Sequence, residues 1–408
     1  MNTALQQDVS IPEPPYLNLG DPDFSMNSAE ARAARAKSWY ARTNYGLAVL
    51  RYGEMAALLK DRRLRQGSWA WPDKNGVTDG LFHQFWRTTL INYEGADHGR
   101  LRRLHNPAFS PKLIEGLVPR FQALANELID AFIDGGECEF VSEFAEPYAA
   151  RVISILLGIP ESEWKTIATW SSVVGLALGV TIRTDLDQIE EAMAGLYGYA
   201  DDLIEDRTAH PKEDFATKLV QAAQDEEKMS REELRTALVN VIFAGMDTTR
   251  NQLGLAMSMF LDHPDQWELL AHRPDLGRAA VEEVMRVAPT VTWVTREALH
   301  DFEFQGVPIT KGTTIHLLSG LAGTDDTDGA EVSFDITAHR RTHFGFGGGV
   351  HHCLGHFIAR SDMSEALPLL AQRLTAPRRT AGGRSLPDSG NTGPVTLPIT
   401  FTPGAPRS

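Results

Sequence analysis

From Ser230 to about Leu261 the chain carries apolar and small residues at helical spacing with no proline. Ser230 and Glu233 form a capping-box pair at its start. Such a helix has about 32 residues and reaches roughly 48 Å, nearly three times the usual helix length. It must cross the whole molecule, and the rest of the chain must pack around it. Around this helix the sequence predicts a mainly α chain with small β-sheets. Pro264 opens a short helix, and another runs from about Asp275 to a stop before Pro289. Strand-like alternation fills 291–319, with turns at Gln305-Gly306 and Lys311-Gly312. Coil follows to about 350, and a last helix spans roughly Leu354 to Leu374. Residues 1–30 read as an extended arm. Residues 66–89, which carry Trp69, Trp71, Phe82, Phe85 and Trp86, read as an irregular, functional loop. No repeat or low-complexity linker marks a cut, so one domain over 1–408 is expected.

The net charge is −15, which argues against broad nucleic-acid binding. The first residues hold no apolar signal core and no membrane-spanning run, so a cytoplasmic location is expected. The two cysteines, Cys138 and Cys353, are far apart and make a disulfide framework improbable.

Chemistry concentrates in Phe346-Gly347-Gly348-Gly349-Val350-His351-His352-Cys353-Leu354-Gly355. Three consecutive glycines let the backbone approach something closely. A thiol at the start of a helix meets free N–H groups that favour the thiolate, the form that binds metal. A flat cofactor against a glycine-smooth loop explains both features. Two plainer readings compete: a zinc site from His343, His351, His352, Cys353 and His356, and a structural cysteine without metal. Zinc sites usually draw paired spacings from two elements, which this segment lacks.

The string resembles the cytochrome P450 signature, Phe-Gly-x-Gly-x-His/Arg-x-Cys-x-Gly, followed by Ala359. The resemblance extends through Ala244-Gly245-Met246-Asp247-Thr248-Thr249 on the long helix and through Glu283-x-x-Arg286. It implies b-type haem with Cys353 as axial ligand to the iron, between the long helix and the Cys-loop helix. Phe346, Gly347, Gly355 and Ala244 would lie against the haem. Small residues at 244 and 245 leave room on one helix face, and Thr248 can bond back to the i−4 carbonyl. By resemblance, Thr248 holds oxygen by hydrogen bonds and Asp247 relays protons from solvent. The family's pattern makes His98, Arg102, Arg296 and His351 the propionate partners, and makes Glu283 and Arg286 a buried scaffold pair. A third scaffold partner, expected at Ala338, is missing or replaced by Arg340 or Arg341. The family's Asn-Arg-Asp is altered to Gly323-Thr324-Asp325.

The implied function is a monooxygenase that inserts one atom of O2 into a small apolar or aromatic molecule, in secondary metabolism. Oxidative coupling or peroxide-driven chemistry is the alternative, and a non-catalytic haem sensor the remote one. Asn240, Phe243, Thr292 and Val294 should line the substrate pocket, with the loop 66–89 and the region 170–185. Two cysteines cannot hold an iron–sulfur cluster, and no flavin or nicotinamide motif is present. Electrons must then come from a ferredoxin or flavodoxin, for which Arg100, Arg103, Arg340, Arg341 and Arg360 form a candidate docking patch.

Overall fold

The computed structural model describes residues 13–178, 182–224, 228–325, 332–388 and 390–404, without the side chains of Pro107 and Ala108. Helices dominate, with small sheets at the margins. The central helix runs Arg231–Asp262 over 32 residues, and Ser230 caps it in a capping box with Glu233. Against it packs the helix Glu146–Leu157, whose Ile153 fills the notch at Gly245. A Cβ at Gly245 would stand 2.4 Å from Ile153 Cδ1, so this mid-helix glycine is needed for helix packing. The expectation that both small residues keep a face open holds at Ala244 only.

The helices Pro111–Phe132, Gly277–Val287 and His356–Arg373 complete the layer behind the Cys loop. Tyr148 donates its hydroxyl to the Asp362 carbonyl at 3.0 Å, joining the helix Glu146–Leu157 to His356–Arg373. The strands Trp293–Ala298 and Thr314–Leu318 pair antiparallel in a six-stranded sheet. The predicted turn at Gln305-Gly306 is a two-residue hairpin with both residues at positive φ, 49° and 78°.

Two expectations need correction. The stretch 66–89 is not irregular: it holds helical turns at Gly67–Ala70 and Trp71–Lys74 and a helix at Gly80–Thr88. Phe82, Phe85 and Trp86 fall at helical spacing and are buried, so the aromatic residues that suggested a loop are a core-facing stripe. The arm 1–30 is only partly an arm. Residues 1–12 lie outside the described residues, but Leu17, Leu19, Phe24 and Met26 are buried in a second core. There Arg35 pairs with Asp325 at 3.5 Å and donates to Thr324 at 3.1 Å, which gives the altered Gly323-Thr324-Asp325 segment its partner.

Candidate active site

The Cys loop closes on itself: Gly347 N–H donates to Phe344 O at 2.7 Å and Cys353 N–H to Phe346 O at 2.9 Å. Gly347 and Gly349 have φ of 66° and 68°, a region that costs other residues roughly 1–2 kcal/mol. A Cβ on Gly349 would stand 2.2 Å from Leu59 O, and one on Gly348 2.9 Å from Leu59 Cδ1. Two of the three glycines therefore answer to the end of the helix Tyr52–Leu58, not to a flat ligand. Gly347 differs, since the nearest atom to its Cβ position is Val294 Cγ1 at 3.7 Å. At Gly355 a Cβ would stand 3.9 Å from Cys353 Sγ, on the sulfur's own side.

Cys353 precedes the helix His356–Arg373 by three residues instead of starting it. Burial pushes its thiol up, against the Gly355 N–H and the Arg102 and Arg360 guanidiniums, which favour the thiolate. A metal cation on the sulfur would favour the thiolate in the same sense as these groups. Cys138 lies in the strand Glu137–Glu139, where burial and then the Glu143 and Glu139 charges push it up to about 12. Among the described residues no group of three His, Cys, Asp or Glu is placed to hold a metal ion.

Beside this loop three elements converge. The His98 and His351 rings lie 4.4 Å apart, and Arg102 donates to the His352 carbonyl at 2.5 Å. Arg296 donates to Gln66 Oε1 at 2.7 Å. His351 Nε2 lies 3.2 Å from Glu94 Oε1, which also accepts the Gln66 N–H at 2.6 Å. Glu94 is a site residue that the sequence reading missed, and Gln66, expected at the substrate pocket as the edge of 66–89, instead holds Arg296. Neither belongs to a motif, and only the fold brings them here. Burial works to raise the Glu94 carboxyl, but His351, the Gln66 N–H and Arg296 hold it below its ordinary value. Burial, then His351 and Arg102, brings His98 down to about 4, and its buried Nε2 has no partner among the described residues. Arg296 is 5% exposed, yet neither it nor Arg102 pairs with a carboxylate within ion-pair distance among the described residues. A buried guanidinium without an anion is costly, so this cluster fits a ligand carrying carboxylates.

On the central helix Asn240 and Thr248 are half-buried and Ala244 is exposed, whereas Val239, Val241, Ile242, Phe243 and Met246 are buried. Four-residue spacing puts Asn240, Ala244 and Thr248 on one face, an open stripe amid a buried helix. Thr248 Oγ1 donates to Ala244 O at 2.7 Å, as expected. Asp247 points into another network. Its Oδ1 accepts from Arg250 at 2.6 Å, and its Oδ2 accepts from Asn391 at 2.6 Å and Asn251 at 3.4 Å. Phe243 meets Phe85 edge to face at 6.1 Å. Thr292 is buried, with its hydroxyl unpartnered among the described residues, and Val294 is half-buried on its strand. Trp71 Nε1 donates to Ala177 O at 2.8 Å, tying part of 66–89 to the 170–185 region, of which 179–181 fall outside the described residues.

Behind the loop, Glu283 and Arg286 are 3% and 1% exposed and share two hydrogen bonds of 2.7 and 2.8 Å. Arg286 also donates to Ser333 O, and Glu283 accepts the Asp335 N–H. Arg340 Nη2 lies 3.6 Å from Glu283 Oε1, so Arg340 takes the third place left by Ala338. Next to Glu283, Glu282 forms a second clamp that no motif announced. It faces His343 at 3.0 Å and Arg360 at 2.5 Å, and Arg360 lies over the Phe346 ring. Most of the proposed docking arginines thus have internal work. Arg100 pairs with Glu233 at 2.6 Å, while Arg103 and Arg341 are exposed, Arg341 lying over the Tyr52 ring.

A family-wide sequence model described as "Cytochrome P450" matches residues 177–386. A luteothin monooxygenase from Streptomyces thioluteus is 37% identical over 405 residues, covering 98% of this chain and 99% of the relative. A mycinamicin IV hydroxylase/epoxidase from Micromonospora griseorubida is 32% identical over 336 residues, 81% of this chain and 82% of the relative. The crystal structure of CalO2 superposes with a TM-score of 0.84 at 30% identity, covering 94% of this chain and 99% of that one. With this likeness along nearly its whole length, the chain belongs to the cytochrome P450 family and is a monooxygenase.

Proposed function

We propose that this single domain binds b-type haem through Cys353 and oxidises a small apolar or aromatic molecule in secondary metabolism. The observation that carries the reading is the meeting of Arg102, Arg296, His98 and His351 beside the Cys loop, with Glu94 as a carboxylate facing His351. Two propionates would supply the anions that the buried Arg296 and the half-buried Arg102 lack. Phe346, Gly347, Gly355 and Ala244 would border the ring. When bound, haem supplies the activation of O2 and the oxidation of the substrate carbon.

The chain's own residues have separate tasks. Thr248 donates its O–H to Ala244 O, which leaves both Oγ1 lone pairs to accept from a water or a proton donor in the open stripe. Asp247 is the proton reservoir one residue away. To serve it must leave Arg250 and Asn391, so its delivery is gated by that network. Phe243, Phe85, Thr292 and Val294 would exclude water around an apolar substrate, and Asn240 adds one polar group. The relatives named for luteothin and mycinamicin support a role in secondary metabolism. Electrons would come from a ferredoxin or flavodoxin in the cytoplasm. Among the described residues no helix is long and apolar enough to cross a membrane. Turnover of an accepted substrate under 18O2, with ferredoxin and its reductase, should give product with one labelled oxygen. Label arriving only from H2 18O, or product formed equally well without reductant, would overturn the reading.

A further inference from the structure

The open stripe of the central helix begins at Asn240, and that side chain is not free to turn. Thr89, which follows the helix Gly80–Thr88, is 1% exposed and places its Oγ1 2.6 Å from Asn240 Oδ1. A hydroxyl that donates to Oδ1 fixes the amide plane and decides which end faces away. Asn240 Nδ2 has no partner among the described residues and is not shut off from solvent. An amide N–H pair held in this way, in a stripe otherwise bounded by Phe243 and Phe85, is an oriented donor in apolar surroundings. Such a donor discriminates strongly, because a ligand lacking an acceptor leaves it dry and unpaired.

We infer that Asn240 is a specificity-determining residue whose Nδ2 donates to an acceptor oxygen of the substrate, a carbonyl or ether, and that Thr89 is the positioning residue that aims it. The inference rests on the reading of this stripe as the oxidation site. Four residues of helix span about 6 Å and eight span about 12 Å. Asn240 is therefore about 6 Å along the axis from Ala244 and about 12 Å from Thr248. The substrate class is an elongated apolar molecule that carries its oxygen well away from the carbon to be oxidised. Oxidation then falls at the remote end, not beside the carbonyl.

The test uses the full-length protein and two matched pairs of probes: 4-phenylcyclohexanone against phenylcyclohexane, and 2-dodecanone against dodecane. Affinity is read by calorimetry and by the haem spin-state change. The ketone should bind about ten-fold more tightly than its hydrocarbon in at least one pair. Asn240→Leu and Asn240→Asp should bring that ratio to within about two-fold. Thr89→Val should lower it several-fold, and Thr89→Ser should restore it, which a merely structural role would not require. Equal affinities in both wild-type pairs, or no ketone binding at all, would overturn the inference. So would a ratio that survives at Asn240→Leu. A preference for 4-phenylcyclohexanol over the ketone would place Oδ1 toward the ligand and would also refute it. The reduced carbon monoxide spectrum separates the two claims. A ketone preference by calorimetry in a protein without thiolate-ligated haem would sink the oxidation reading and leave the donor assignment standing. A normal spectrum without the preference would do the reverse.

Discussion

Thr248 and Asp247 are neighbours in the chain but face different surroundings, and replacing them should separate their roles. Thr248→Ala removes one hydroxyl from the open stripe, so folding and haem loading should stay close to wild type. Product per reductant should fall several-fold, with hydrogen peroxide making up the balance, while Thr248→Ser keeps most of the yield. Asp247→Asn should slow the whole cycle, because an amide does not relay protons as a carboxylate does. It also sets an amide donor against Arg250 and Asn391, at about 1–3 kcal/mol in stability. Reductant, peroxide and product stoichiometry for one accepted substrate checks both variants. Unchanged yield in Thr248→Ala would remove the hydroxyl from the account. Glu283→Ala or Arg286→Ala leaves its partner charged and buried, at about 3–5 kcal/mol. Little or no haem-loaded protein should result, and a well-loaded, active variant would show the pair to be dispensable.

At the level of elements, the central helix and its neighbours can be tested without reference to oxygen. Gly245→Ala gains roughly 1 kcal/mol of helix propensity but drives a methyl into Ile153. Overpacking costs about 1–3 kcal/mol, so the variant should be less stable, and adding Ile153→Val should recover most of the loss. Denaturant midpoints of the four proteins in that cycle measure it. Glu282 offers a pH test of the clamp behind the Cys loop. Burial would raise its carboxyl, but hydrogen bonds from His343 and Arg360 prevail and hold it at about 2. A depressed carboxylate contributes stability above its unfolded pKa and loses it as pH falls toward the folded one. The stability gap between wild type and Glu282→Gln should therefore be full at pH 7 and shrink from about pH 4.5 toward 2. The long helix, the hairpin at Gln305-Gly306 and the Cys loop were legible in the sequence because period, turn chemistry and motif each name a local structure. The helix Gly80–Thr88 was not, because aromatic residues signal packing without naming the element. Glu94, Gln66, Thr89 and Glu282 were not legible either, since each gains its meaning from a partner far along the chain.

Over the whole molecule, charge and cofactor decide the account. With Arg100, Arg340 and Arg360 committed to internal partners, an acidic electron donor has Arg103 and Arg341 as the exposed arginines of the proposed set. Arg103→Glu should raise the KM for ferredoxin several-fold at low salt, and less at high salt where screening removes the effect. Haem loading should not change, whereas Arg360→Ala should lower loading because it loosens the Glu282 clamp. Equal KM values for wild type and Arg103→Glu at low salt would place docking elsewhere. The central claim is that Cys353 ligates haem iron, and the reduced carbon monoxide spectrum tests it most directly. Wild type and Cys138→Ser should both show the long-wavelength Soret band of a thiolate ligand. Cys353→His should move the band to the position of imidazole ligation. A Cys353→His protein that kept the long-wavelength band would contradict the account.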